Sequence, residues 1–284
     1  MNRLLLAFLC IALLPAARAD EPTGALAQIK KSGVIRLGYL ESAPPFSFED
    51  SGSSPAGYSV DLCKHVAEAI RKQLGMETLR TEWVSLTLQT RLAAVRDRKV
   101  ELECGTTTWT LSRQAMVDFS LMTFIDGATV LVRGDSQVFR LSELAGKRIA
   151  VVSGTTTDPA LRAVLKQRDI SAEVVNVASP DKAIEMLSSR AVDGYASDRL
   201  VLLGLGLTAH GGATFRVLDE DFSVEPYALA LPRGEPDLRL AVDRALAGLY
   251  RSGEIDSIFA RWLGPLGKPS VLLSALYYLQ SIPE

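Results

Sequence analysis

Cysteine and histidine are scarce here, three and two residues in a chain of 284. His65 and His210 stand far apart with no cysteine or second histidine beside either, so neither carries metal-ligand spacing. Both are expected as surface or helix-packing residues, and no metal or cofactor is expected. A basic excess is also missing. Lys and Arg total 31 against 33 Asp and Glu, which removes the electrostatic footprint of a nucleic-acid binder. No apolar run reaches the roughly 20 residues that a membrane-spanning helix needs. The chain has no G-x-S-x-G elbow, and "AGKRI" lacks both the leading glycine and the Ser/Thr of a phosphate loop. "GLGLTA" (204–209) matches G-x-G-x-x-A, but it follows an apolar helical stretch rather than a strand and has no acidic residue at the expected distance.

The N-terminus carries a positive residue, Arg3, then the apolar "LLLAFLCIALLPA" and the small-x-small site Ala17-Arg18-Ala19. This is the pattern of a cleaved secretory signal over residues 1–19, so a periplasmic product is expected. Losing Arg3 and Arg18 lowers Lys plus Arg from 31 to 29 against 33 acids, a net charge near −4. Cys63 and Cys104 then remain. An oxidising compartment permits a bond between them. Their half-buried positions, one in a helix and one at a strand end, favour two free thiols.

Beyond the leader, "GVIRLGYL" reads as a strand, a Pro/Gly/Ser loop follows, and "SVDLCKHVAEAIRKQLG" has helical apolar spacing ending at Gly75. "LRTEWVSL", "QTRLAAVRDRK" and "VELECGT" continue as strand, helix and strand. The plan restarts near residue 140 with "GKRIAVVSGTTTD", "PALRAVLKQRD", "SAEVVNV", "SPDKAIEMLSSR" and "AVDGYASD". Two α/β units are therefore expected, each a mostly parallel sheet with flanking helices. "DGATVLVRGDS" and "VEPYALALPRG" are expected to cross between the lobes. The helical C-terminal segment, broken at Ser252-Gly253, should pack back on the first lobe.

Ligands of such sheets bind beyond the carboxyl ends of the strands. At one such end lies "ECGTTTWTLSRQ" (103–114). Gly105, Thr106 and Thr108 offer hydroxyl and backbone donors to a small carboxylate, and Arg113 offers a planar fork. "SGTTTD" (153–158), with Thr155 and Thr156, repeats the device at a helix N-terminus of the second lobe. Asp198, at another strand end, supplies a carboxylate for an ammonium. Each piece has an ordinary reading as well. Gly-Thr-Thr turns cap helices, Arg113 can pair with Asp118, and Asp198 can cap the helix starting "RLVLLG".

The chain resembles the periplasmic amino-acid-binding proteins of ABC importers, the bacterial extracellular solute-binding proteins of family 3. The resemblance rests on "GVIRLGYLESAPPFSFEDSGSSPAGYSVDL", "ECGTTTWTLSRQAMVDFS", "VVSGTTTD", "AVDGYASD" and "RSGEIDSIFARWLG". It is strongest to the glutamate/aspartate-binding branch. It implies a two-lobed type II periplasmic-binding-protein fold with two crossing strands as hinge. Lobe one would comprise 20–130 and the return over 226–284, and lobe two 131–225. It also implies a monomer that delivers a small amino-acid ligand to an inner-membrane ABC permease. By that likeness Arg113, with Thr108 and Thr156, would clamp the ligand α-carboxylate, and Thr106, the Gly105 region and Asp198 would face its ammonium. The variable end departs from the acidic-ligand pattern. Leu40 stands where those relatives carry arginine, Leu88 where they carry serine, and Ser179 or Pro180 where they carry histidine. Only Arg91 of that polar set remains, either facing the ligand or lying on its helix surface. A neutral or polar amino acid is expected in place of plain glutamate or aspartate. Some relatives are cyclohexadienyl dehydratases, so an enzyme is the rival reading, with Glu103, Glu225 and Asp198 as its acids. For it, Glu103 is expected to point away from the cleft and Glu225 to be a hinge hydrogen-bonding residue. A ligand-sensing partner of a membrane sensor is a further alternative.

Overall fold

The computed structural model describes residues 22–208 and 214–284. The expected signal segment and His210 lie outside the described residues. Helix α1 (Gly24–Ser32) buries Ala25, Leu26 and Ile29 and stops at Gly33, which takes a left-handed conformation. Strand β1 (Val34–Leu40) follows. A small three-stranded sheet, β2 (Ser42–Ala43), β3 (Ser47–Glu49) and β4 (Pro55–Ala56), occupies the Pro/Gly/Ser loop. Helix α2 (Tyr58–Gln73) buries Leu62, Val66 and Ile70 at four-residue spacing and ends just before Gly75, as its sequence implies. Then come β5 (Arg80–Leu86), α3 (Arg91–Arg96), a short β6 (Leu102–Glu103), α4 (Leu111–Gln114) and β7 (Asp118–Asp126).

Gly127 alone separates β7 from β8 (Ala128–Arg133), which already belongs to a second sheet. That sheet is completed by β9 (Arg148–Val152), β10 (Glu173–Val177), β11 (Gly194–Asp198) and β12 (Phe215–Val217). Between them run α5 (Thr157–Gln167), α6 (Pro180–Ser188) and α7 (Arg199–Thr208). Ser179 caps α6, its hydroxyl accepting from Lys182 N at 3.2 Å, and Pro180 occupies the first turn. The chain returns as β13 (Glu225–Leu231) to the first sheet. It ends in α8 (Pro236–Ser252), α9 (Ile255–Trp262) and α10 (Val271–Leu279). Gly253, in a left-handed conformation, stops α8 at the expected break, and α8 packs back on α2 and β7.

The fold is thus α/β and two-lobed, with sheet orders β5-β1-β6-β13-β7 and β10-β9-β11-β8-β12. Parallel pairing is confined to three strands of each sheet, β5-β1-β6 and β10-β9-β11. The other pairs are antiparallel, so each sheet is mixed rather than mostly parallel. The reason is the double crossing. The strand leaving each sheet and the strand returning to it lie side by side in opposite directions. The first lobe's core gathers Leu37, Leu62, Leu102 and Leu246, all fully buried. Each such leucine contributes about 1.5–3 kcal/mol over an exposed one.

The expectation of free thiols is wrong. Cys63 on α2 and Cys104 just after β6 form a disulfide, with Cα atoms 6.0 Å apart. Helix α2 packs across the face of the first sheet, and this brings together two residues that no sequence pattern pairs. Their 41-residue separation closes a loop that stabilises the fold by about 4 kcal/mol in the chain-entropy model. Tyr277 of α10 ties the C-terminal segment to the first lobe through the Tyr58 hydroxyl at 2.6 Å. Among the described residues no helix is long and apolar enough to cross a membrane.

Candidate ligand site

The carboxyl ends of β6, β9 and β11 face one another across the cleft between the lobes. After β6 the chain turns at Gly105, where a Cβ would lie 2.2 Å from Glu103 Oε1 and 2.8 Å from Leu40 Cδ1. A side chain there would have to displace the ends of both neighbours. Thr106 and Thr108 follow, both buried. Thr110 caps α4, its hydroxyl accepting from Arg113 N at 3.2 Å, which fixes the arginine's backbone. The Arg113 side chain folds back and donates from Nη1 to Thr108 O at 2.9 Å. Burial, reinforced by the Arg91 charge, lowers its pKa to about 10, so it remains a cation at neutral pH. It makes no pair with Asp118, which accepts instead from Gly234 N at 3.3 Å.

From the second lobe, Thr155 donates to Val152 O at 2.8 Å, bracing the turn after β9. Thr156 precedes α5 but makes no side-chain cap. Its hydroxyl crosses the cleft instead, donating to Glu225 Oε2 at 2.7 Å and lying 3.2 Å from the Thr108 hydroxyl. Thr108 donates to the same Glu225 oxygen at 2.7 Å, and Ser223 donates to the other at 2.6 Å. One carboxylate on β13 therefore gathers hydroxyls from both lobes. Glu225 is thus a hydrogen-bonding residue at the start of the returning strand, as expected, and it does not line the inner cavity.

Asp198 ends β11 with its carboxyl buried. Oδ2 accepts from the Tyr227 hydroxyl at 2.5 Å and Oδ1 from Thr157 at 3.4 Å. Burial, aided by the Glu225 charge, pushes its pKa up to about 7. It does not cap α7. Asp126, from the other lobe, takes that place and accepts from Leu200 N at 3.0 Å and Gly127 N at 2.9 Å. Burial and the Asp198 charge push Asp126 up to about 8.

Arg91, the first residue of α3, is 2% exposed and is no surface residue. Its Nε and Nη1 have no hydrogen-bond partner among the described residues. Burial lowers its pKa while the Glu103 charge draws it back up. Glu103 does not line the cleft. Its buried carboxyl, raised by desolvation, is a counter-charge for Arg91.

An inner cavity of about 20 Å³ joins Leu88, Arg91, Thr106 and Thr108 of the first lobe to Thr155, Thr156 and Asp198 of the second. This is room for about one water, so the lobes are closed. Gly105 and Arg113 do not line it. Gly105 lies beneath it beside Leu40, and Arg113 holds the Thr108 carbonyl from behind. Outside lies a vestibule of about 110 Å³, lined by Leu40, Leu86 and Leu88. The two spaces share Ser42, Ala43, Leu88 and Pro180.

Several contacts between the lobes are not legible in the sequence. Tyr227 holds Asp198 across the lobes. Gln89 donates from Nε2 to Ser153 O at 3.1 Å and Ala178 O at 2.9 Å, latching the closed lobes. Gly204 accounts for "GLGLTA": a Cβ there would lie 2.4 Å from the Pro44 carbonyl oxygen of the opposite lobe. Only the third threonine of "SGTTTD" signalled Thr157 in advance. The rest depend on tertiary contacts.

The model of the bacterial extracellular solute-binding proteins, family 3, matches residues 35–265. The L-glutamate/L-aspartate-binding protein of Pseudomonas aeruginosa is 31% identical over 245 residues, covering 86% of this chain and 81% of that protein. An ancestral arginine-binding protein solved with glutamine bound superposes with a TM-score of 0.72 at 27% identity, over 82% of this chain and 98% of that one. The ancestral amino-acid-binding protein AncCDT-1, a precursor of cyclohexadienyl dehydratase, superposes with a TM-score of 0.73 at 27% identity, over 84% and 99%.

Proposed function

We propose that this chain, which belongs to the bacterial extracellular solute-binding proteins of family 3, captures an amino acid in the periplasm by closing its two lobes and delivers it to an ABC permease. The observation that carries this reading is the inner cavity, where cationic, hydroxyl and carboxyl groups from both lobes converge. Arg91, which lines this space with its Nε and Nη1 N–H groups unpartnered among the described residues, meets the ligand α-carboxylate. Arg113, Thr108 and Thr156 join it on ligand entry by leaving the Thr108 carbonyl and Glu225, their partners in the closed state. Asp198 receives the α-ammonium, and Thr106 and Thr155 complete the wall. The jaws part at Gly127 and within 218–224, where the chain changes sheets. A ligand bridging both jaws binds the closed state better than the open one, and that difference shifts the population. Micromolar affinity corresponds to about −8 kcal/mol. Two or three desolvated charge-assisted hydrogen bonds of about 1.5–3 kcal/mol each, with some apolar burial, supply that. The protein acts as a monomer, each closed molecule presenting both lobe surfaces to the permease.

A thermal-shift screen of the unliganded mature protein against the amino acids tests this, because a ligand that binds only the folded state stabilises it by mass action. At least one α-amino acid should raise Tm clearly, and Arg113→Ala should abolish the rise. An Arg113→Ala protein that bound as well as wild type would overturn the assignment. The enzyme reading keeps one observation, an Asp198 carboxyl with a pKa of about 7 inside the cavity. Incubation with prephenate or arogenate decides it: aromatic product would replace the receptor reading, and no product is expected.

A further inference from the structure

The vestibule outside the inner cavity carries its own chemistry. Its apolar walls are Leu40 and Leu86, both almost wholly buried, together with Leu88 and Pro180. Its rim holds two exposed acids, Glu41 from the first lobe and Asp181 from the second. Among the described residues no lysine or arginine lines it, and Arg91 lines only the inner cavity. Its volume of about 110 Å³ is several times the about 20 Å³ of the inner cavity, so it admits an extended side chain. The two acids belong to opposite jaws and are held near the cleft by hydroxyls. Ser42 donates to Asp181 Oδ2 at 2.9 Å across the lobes, and Ser85 donates to Glu41. Asp181 also sits in the first turn of α6, which stabilises its negative charge.

We propose that this vestibule is the specificity subsite for the ligand's variable end, and that it takes an aliphatic chain ended by a cation, as in lysine, ornithine or arginine. This rests on the reading of the inner cavity as an α-amino-acid site. The methylene stem lies against the leucines while the charged tip stays at the wet rim, the arrangement long cationic side chains adopt at apolar surfaces. A cation between Glu41 and Asp181 meets one carboxylate from each jaw, so it favours closure. A ligand carboxylate at the same place meets two like charges over an apolar wall and is disfavoured. Arg91 does not oppose the cation, because it faces the inner cavity with Glu103 as counter-charge.

The test is calorimetric titration of the mature protein at pH 7.5 with L-lysine, L-norleucine and L-glutamate. The same titrations are made on the Glu41→Gln/Asp181→Asn double variant. Norleucine keeps the stem and lacks the charge. Lysine is expected to bind at least about tenfold more tightly than either other compound. In the double variant its advantage over norleucine should shrink to about threefold or less. The Ser42–Asp181 contact also serves closure, but its loss affects lysine and norleucine alike and cancels in their ratio. Glutamate or norleucine binding as tightly as lysine would overturn the proposal, as would a lysine advantage that survived the double substitution. Should the double variant fail to fold, the wild-type ratios alone decide. Norleucine binding without a lysine preference would defeat the subsite alone. Failure of every amino acid tried would defeat the underlying reading as well.

Discussion

Ligand affinity should depend on pH through Asp198. Burial and the Glu225 charge push its carboxyl up to about 7. Below that value the unliganded protein holds a proton there, whereas a bound ammonium needs the carboxylate. Binding must then release the proton. Each pH unit below about 7 costs about 1.4 kcal/mol, a tenfold loss of affinity. The sign follows from the raised value: affinity climbs as pH rises and levels off once Asp198 is ionised. From pH 7.5 down to pH 5.5, an amino-acid ligand should weaken by roughly tenfold to thirtyfold. Calorimetry in two buffers of different ionisation enthalpy should count close to one proton released near pH 6. Asp198→Asn should bind weakly at every pH and lose the dependence. A dissociation constant constant within about twofold over this range, or net proton uptake, would refute the role given to Asp198.

Other consequences can be checked separately. Asp126, pushed up to about 8 by burial and the Asp198 charge, prefers its neutral form when folded. Its contribution to stability is lost as pH rises toward about 8, so the Tm of the unliganded protein should fall between pH 6 and pH 8, and Asp126→Asn should flatten that fall. Reducing the Cys63–Cys104 bond, or replacing both cysteines by alanine, should cost about 4 kcal/mol in chemical denaturation. Gly204→Leu should fold, since the residue lies on the lobe-two helix facing the cleft. It should nevertheless weaken binding more than about tenfold, because the added side chain meets the Pro44 carbonyl on closure. Small-angle scattering of that variant with saturating ligand should show it more open than wild type.

The strand-end turns proposed to meet the ligand were legible because their pieces are local. Gly105, Thr106 and Thr108 follow a strand directly, and "SGTTTD" repeats the same turn, so position at a strand end was readable from alternating apolar residues. The helices of each α/β unit were readable in the same way, down to the terminators Gly75 and Gly253. What escaped depends on how separate segments meet. The disulfide needs α2 to lie across the sheet face, and the antiparallel half of each sheet follows from the double crossing. Tyr227 reaches Asp198 over 29 positions, and Asp126 caps a helix 74 positions away. Arg91 illustrates the limit most clearly. Its helix is amphipathic in outline, and only the three-dimensional packing decides that it faces inward.

The central claim is that the two charged groups common to all α-amino acids are held between the lobes. It is tested most directly by titrating the mature protein with the amino acid that gives the largest thermal shift, then with its α-carboxamide and its N-acetyl derivative. Both derivatives keep the side chain, while one removes the charge meant for Arg113 and the other the charge meant for Asp198. Each should weaken binding by about a hundredfold or more, since each loses a desolvated charge-assisted contact. Derivatives that bound as tightly as the parent amino acid would contradict the account.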